Sequence, residues 1–329
     1  MKRVVAIGEL LIDFVPQQKG RRLDEVTHFE RVAGGAPANV AAAVARLGGR
    51  AAMISQVGED AFGTHILRVL QENGVDTSYV FRTSRANTGL AFVSLDEAGN
   101  REFSFFRNPS ADLFLDEKQI TPEMADECAA LHFCSVDLVD WPVRGAHRRA
   151  IALAQQAGAL ISFDPNVRLP LWNDPAECRE TIRAFLPEAD IVKLSDDELA
   201  FVTGCTDERE AARRLFEGRC RLLLVTKGMH GSAAYTPHAM AFAETVPVPV
   251  VDTTGAGDSF IGSFLYQLTR DGVTAAELET LSSERLAGYL RFSAQYASLT
   301  VQQKGAVMAT LDALRRAWPA SSGVSGSVL

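Results

Sequence analysis

Short apolar runs alternate along the chain with longer segments whose apolar residues recur at helical spacing. Val4–Ile7, Ala52–Val57, Ala130–Cys134, Leu160–Phe163, Ile191–Leu194 and Leu222–Thr226 are too short for helices and predict buried strands. Between them, Val143–Gln156 and Asp207–Glu217 carry the helical repeat. Strand–helix alternation of this kind predicts an α/β fold, a mostly parallel central sheet sandwiched by helices.

Two stretches break the alternation. Residues 9–33 hold Leu10-Leu11-Ile12 and Phe14-Val15 between polar turns, with no helical repeat. Residues 87–107 read as a hairpin, Gly89–Leu95 and Arg101–Phe106 around Asp96–Asn100, with Phe103, Phe105, Phe106 and Arg107 clustered at its end. Together they predict a small β lid, assembled from about 10–33 and 87–112, over one edge of a main domain spanning 1–318. The Ser- and Gly-rich stretch 319–329 is expected to be a flexible tail. An outer apolar face on such a lid would need cover, which suggests a homodimer through it.

Composition narrows the function. The chain has 329 residues, and 33 Lys+Arg against 41 Asp+Glu give a net charge of −8. That charge argues against sequence-independent nucleic-acid binding, which needs a basic surface. No segment approaches the ~18 uninterrupted apolar residues of a membrane span, and Met1–Gly8 reads as a first strand rather than a signal peptide. Cys128, Cys134, Cys178, Cys205 and Cys220 are widely spaced with no C-x-x-C pair, as in reduced thiols of a cytoplasmic protein.

Two motifs carry candidate chemistry. In Asp252-Thr253-Thr254-Gly255-Ala256-Gly257-Asp258-Ser259-Phe260, the β-like run Val246–Val251 leads in, and Ile261, Phe264, Leu265 and Leu268 continue as one helical face. Gly255-Ala256-Gly257 thus opens a helix, where close backbone, unpaired N–H groups and the positive dipole end suit an anion such as phosphate. Asp258 in the first turn would repel that anion unless it has its own task, such as taking a proton from an attacking hydroxyl. The plainer reading, a helix-start acid favoured by the dipole, is equally good for an isolated G-A-G-D. The second motif, Gly34-Gly35-Ala36-Pro37-Ala38-Asn39-Val40 running on to Gly48-Gly49, has Pro37 at a helix start and Gly48 at its stop. Its Asn39 offers donor and acceptor to a polyhydroxylated ligand; a tightly packed core helix is the competing reading. Gly58–Thr64 has Walker-like glycines but no lysine, and no G-x-G-x-x-G follows the first strand.

These two motifs, in this order and separation, resemble the signatures of the ribokinase-like (PfkB) carbohydrate kinases, and the resemblance extends over residues 2–317. Lys193–Leu199, Val225–Gly231 and Lys304-Gly305-Ala306 agree with it. Gly34–Val40, Phe106–Asp112 and Phe163–Trp172 are most similar to fructokinases. Relatives acting on 2-keto-3-deoxygluconate resemble the chain nearly as well, but tend to carry tyrosine where Phe105 stands.

The resemblance implies transfer of the γ-phosphoryl group of ATP to a primary hydroxyl of a sugar, D-fructose first. Asp258 would be the general base, and Gly255, Ala256 and Gly257 the anion hole. Asp13, Gly34, Gly35, Asn39, Arg107, Asn166 and Arg168 would contact substrate. The nucleotide would lie over Ser195, Thr226, Gly228 and Gly231, with Glu198 organising Mg²⁺ through water. Ser195 stands where the family's N-x-x-E motif has Asn. Asp252, Thr254 and Gly305 match a monovalent-cation site that many relatives fill with K⁺. A 2-keto-3-deoxygluconate kinase, an aminoimidazole riboside or nucleoside kinase, and a non-catalytic sugar sensor are the alternatives.

Overall fold

The computed structural model describes residues 1–18, 20–95 and 101–318; the expected tail 319–329 and the hairpin tip Asp96–Asn100 lie outside the described residues. The chain opens with β1 (Arg3–Ile7), β2 (Leu11–Pro16), β3 (Phe29–Gly34), α1 (Ala36–Arg46), β4 (Ala51–Gly58), α2 (Ala61–Glu72) and β5 (Asp76–Thr83). It continues through β6 (Gly89–Leu95), β7 (Arg101–Phe106), β8 (Cys128–Cys134), α3 (Pro142–Gln156), β9 (Leu160–Asp164), α4 (Pro175–Phe185) and β10 (Ile191–Ser195). It then forms α5 (Asp196–Thr203), α6 (Glu208–Phe216), β11 (Leu222–Thr226), β12 (Ser232–Tyr235) and β13 (Met240–Ala243). Four helices close it: α7 (Ala256–Arg270), α8 (Ala275–Leu278), α9 (Ser283–Thr300) and α10 (Leu311–Ala317).

The main sheet has nine strands in the order β13-β12-β11-β10-β9-β8-β1-β4-β5. All neighbours from β5 to β11 pair in parallel; β12 and β13 add an antiparallel edge. Alternate residues of each strand feed two separate cores. On β10, Ile191 joins the side covered by α1, α7 and α9, while Val192 and Leu194 join the side covered by α3, α4 and α5. Burial on both faces is why the strands read as continuous apolar runs. All five cysteines are buried and unpaired by disulfides. Among the described residues no helix is long and apolar enough to cross a membrane.

The second sheet has the order β3-β2-β6-β7. Its β2 and β6, from the two separate insertions, pair in parallel, and each has its own antiparallel hairpin partner. Asp13, Ala91 and Phe105 are aligned across three strands, so they share one face.

One expected strand is absent. Val246–Val251 is irregular, and Val250 and Val251 are exposed. The run alternates like a strand, but Pro247 and Pro249 remove the N–H groups a ladder needs. Conversely, β5, β12 and β13 lacked a clear sequence signal: β5 is an edge strand of half-exposed, mixed residues, and β12–β13 are four residues each.

The packing of α1 on α7 positions the site. A Cβ added at Gly262 would lie 2.7 Å from Ala43 Cβ and 2.9 Å from the Val40 carbonyl. Gly262 is one turn past Asp258, so the helix face bearing Asp258 is the face pressed on α1. Helix propensity alone would make Gly262→Ala stabilising by about 1 kcal/mol. Here the added methyl meets backbone, and the expected result is the reverse, a loss of about 1–3 kcal/mol, read as a lower thermal midpoint. A raised midpoint would contradict this packing.

Candidate active site

The sequence motifs converge at the carboxyl ends of the parallel strands, where open α/β sheets form their ligand crevices. Gly255 precedes α7 in the left-handed conformation, with φ 76° and ψ 4°. The loop before it is fixed by Asp252, whose Oδ1 accepts from the Thr254 amide (2.8 Å) and hydroxyl (2.7 Å). Its Oδ2 accepts from the Gly305 amide at 2.9 Å. The three residues matched to a cation site are thus brought together. The Gly305 carbonyl, however, already accepts from the Val307 amide at 2.9 Å.

The Ala256 amide donates to the Thr253 carbonyl at 3.2 Å. The amides of Gly255, Gly257 and Asp258 have no hydrogen-bond acceptor among the described residues. These are the orphan donors expected at a helix start, and they are the groups available to an anion. Ala256 is therefore a poorer donor to a ligand than its two glycine neighbours.

Asp258 Oδ2 accepts from Asn39 Nδ2 at 2.8 Å, joining the two motifs across 219 residues of chain. Burial raises the Asp258 carboxyl above its ordinary value, while the Asn39 hydrogen bond and the charges of Lys193 and Arg168 pull it back down. A carboxyl so placed has more proton affinity than an exposed one.

The second motif supplies the wall opposite. Gly35 has φ 119°, and a Cβ there would come within 2.3 Å of the Glu9 carbonyl. At Gly34 a Cβ would come within 2.3 Å of Asp13 Oδ2, so the Asp13 carboxylate lies directly on the Gly34 backbone. Glu9 Oε1 accepts from the Ala36 amide at 2.9 Å and caps α1; burial pushes its carboxyl up to about 7.

Arg107 is placed differently from an open sugar contact. It is 7% exposed, and its guanidinium bonds Asp112 and, at 2.5 Å, Asp137. Among the described residues its Nε has no hydrogen-bond partner, and it lies 3.5 Å from where a Gly89 Cβ would stand. Burial, and the neighbouring Asp112 charge, raise Asp137 well above an ordinary carboxyl. Asn166 adopts the left-handed φ of 46°, which asparagine tolerates, with its amide donating to Asp164 Oδ1 at 3.2 Å. That turn sends Arg168 toward Asp258, close enough to act on its ionisation.

At the ends of β10 and β11, Ser195 caps α5 and Thr226 lies next to it in register. Gly228 and Gly231 bracket an exposed turn held by Thr245, whose hydroxyl donates to the Gly228 carbonyl (2.6 Å) and accepts from the Gly231 amide (3.0 Å). Glu198 Oε2 accepts from the Ser195 amide (2.9 Å) and Oε1 from the Val167 amide (2.6 Å). It braces two strand-end loops, and each oxygen keeps a lone pair for water, which suits outer-sphere contact with a hydrated Mg²⁺. Among the described residues, no cluster of three His, Cys, Asp or Glu is arranged to hold a metal by itself.

Sequence reasoning did not select Glu9, Asp112, Asp137, Asp164 or Lys193. Lys193 Nζ lies 2.9 Å from Asp164 Oδ2, and a Cβ on Gly257 would be 3.0 Å from that ammonium. A lysine inside the apolar run Ile191–Leu194 was the available signal.

Comparison with known proteins agrees with this geometry. The profile described as pfkB family carbohydrate kinase matches residues 1–313. A probable fructokinase-2 of Arabidopsis thaliana is 45% identical over 307 residues, covering 93% of this chain and 92% of the relative. Fructokinase-2 of Solanum habrochaites is 42% identical, with the same 93% and 92% coverage. Among solved structures, the ATP-bound fructokinase of Xylella fastidiosa superposes with a TM-score of 0.86 at 36% identity, covering 96% of this chain and 98% of that one. The fructokinase of Vibrio cholerae O395 with fructose, ADP and calcium superposes at 0.84 with 33% identity, covering 96% and 98%. A buried aspartate at a glycine-opened helix start, a second glycine motif whose Asn39 is bonded to it and these relatives lead to one conclusion: the chain belongs to the pfkB family of carbohydrate kinases and is a sugar kinase.

Proposed function

We propose that the protein is an ATP-dependent fructokinase that converts D-fructose to fructose 6-phosphate. The observation that carries this reading is the Asn39–Asp258 hydrogen bond at the mouth of the α7 amides, in a chain whose relatives are fructokinases. Asp258 takes the proton of the primary hydroxyl, whose oxygen attacks the γ-phosphorus; the bond to the β–γ bridging oxygen breaks and ADP leaves. The amides of Gly255 and Gly257, with Ala256 between them, hold the charge spread over the transferred group.

Asp13, Gly34, Gly35 and Asn39 line the sugar side, and Arg168 and Asn166 approach from the β9 loop. Arg107 reaches the same end through its unspent Nε. The small sheet serves as the lid of the 1–318 domain, with Asp13 and Phe105 on its substrate face. Ser195, Thr226, Gly228 and Gly231 carry the nucleotide. Glu198 would hold Mg²⁺ through water, and the ion would supply charge neutralisation at the γ-phosphate. Asp252, Thr254 and Gly305 form the monovalent-cation site, where K⁺ would steady the loop that presents the anion hole.

The test is ADP release with MgATP, with and without K⁺, on fructose, ribose, 2-keto-3-deoxygluconate, aminoimidazole riboside and adenosine. Fructose is expected to give the highest kcat/KM, at least about tenfold above the others, the discrimination that one lost polar contact commands. Turnover on none of them, with fructose binding retained, would instead mark a sugar sensor.

A further inference from the structure

One buried charged pair has no task in the reaction as drawn so far. Lys193 sits on β10, on the sheet face covered by α7, with its side chain 8% exposed, and Asp164 ends β9 at 2% exposed. The pair costs desolvation that an apolar pair would avoid, so its presence alone is no stability argument. Among the described residues, Asp164 is the only carboxylate within 4.0 Å of the ammonium, yet an ammonium has three N–H donors. The ammonium also lies against the first turn of α7, at 3.0 Å from the position a Gly257 side chain would take. Any larger residue at 257 would stand between Lys193 and the pocket.

The neutral amides of an anion hole offer partial charges only, while the group in flight carries full negative charge. We propose that Lys193 is a further catalytic residue, whose ammonium contacts the transferred phosphoryl group beside Gly257, with Asp164 as the residue that positions it. The proposal rests on the kinase reading of the Asp258 site. The groups facing Lys193 fit this role: Asp164 from β9, Glu198 from α5 and Asp258 from α7. Burial pulls the ammonium's pKa down, but these carboxylates hold it above the ordinary lysine value, so it stays charged at neutral pH. Asp164 also fixes the Asn166 amide, so one carboxylate sets both Lys193 and the turn that delivers Arg168.

Three variants test this with fructose and MgATP: Lys193→Met, Lys193→Arg, and the double variant Lys193→Met/Asp164→Asn, which removes both charges and keeps a side-chain oxygen to accept from the Asn166 amide. For Lys193→Met and the double variant, kcat is expected to fall about 10²–10³-fold, the cost of one transition-state donor, with fructose KM and the calorimetric ADP affinity within about threefold. Lys193→Arg should recover part of kcat. A folded double variant with near-wild-type kcat would overturn the proposal, as would a raised KM with kcat unchanged. If Lys193→Met alone unfolds, the double variant decides. Failure of the kinase reading is separate: it would appear as absence of turnover in the unsubstituted protein.

Discussion

Asp258→Asn is expected to lower kcat by about 10²–10⁴-fold, the usual share of a general base, while fructose and ATP still bind. The amide oxygen of asparagine can accept from Asn39 Nδ2 as the carboxylate Oδ2 does at 2.8 Å, so α1 and α7 stay in place. What is lost is the basic lone pair. Calorimetric fructose affinity within about threefold of the unsubstituted protein, together with collapsed turnover, is the signature of a group acting mainly in the transition state. The pH profile provides an independent reading. The Asp258 carboxyl is raised above 3.8, by burial first, against the Asn39 bond and the charges of Lys193 and Arg168. It works ionised, so kcat falls as pH drops through that raised value, and the acid limb has its midpoint above 3.8. Residual Asp258→Asn activity should lack this limb. Near-normal turnover in Asp258→Asn would remove Asp258 as the base.

The fold was legible where the chain obeys a single rule. Strands buried on both faces are mostly apolar, and β1, β8, β9, β10 and β11 announce themselves in that way. The discontinuous small sheet was legible as two interruptions of the strand–helix alternation. The two glycine motifs showed their helix starts because Gly255 and Gly35 must adopt positive φ. Local rules failed where pairing depends on partners. Val246–Val251 alternates like a strand but has prolines where donors are needed. Lys193 and Asp164 sit 29 positions apart and meet only because β9 and β10 are neighbours. Arg107 was legible as a residue at the end of the lid hairpin, but its buried ion pairs were not, because nothing in the sequence says that Asp112 and Asp137 fold against it. Charged groups at the ends of adjacent strands are joined by topology, which no window along the chain contains.

Gly34→Ala should damage the sugar site and leave the fold standing, an effect that separates Asp13 from its surroundings. Gly34 ends β3, opposite Leu11 in the ladder, and its φ is not in the left-handed region, so alanine fits the backbone. The obstruction is a side chain: the new Cβ would be 2.3 Å from Asp13 Oδ2 and 3.0 Å from its Cγ. A carboxylate at the end of a side chain can swing away at little cost to folding. It then leaves the position from which it would accept hydrogen bonds from sugar hydroxyls. Losing a hydrogen bond to a charged group costs about 1.5–3 kcal/mol, so fructose KM should rise about 10–150-fold. The ATP KM and the thermal midpoint should change little. Asp13→Ala should show the same loss, and the double variant should be no worse than either alone, since two changes that remove one interaction do not add. Additive losses would mean that Gly34 and Asp13 serve the sugar separately. An unchanged fructose KM in Gly34→Ala would take Asp13 out of the site, because no arrangement of that carboxylate on the Gly34 backbone survives the added methyl.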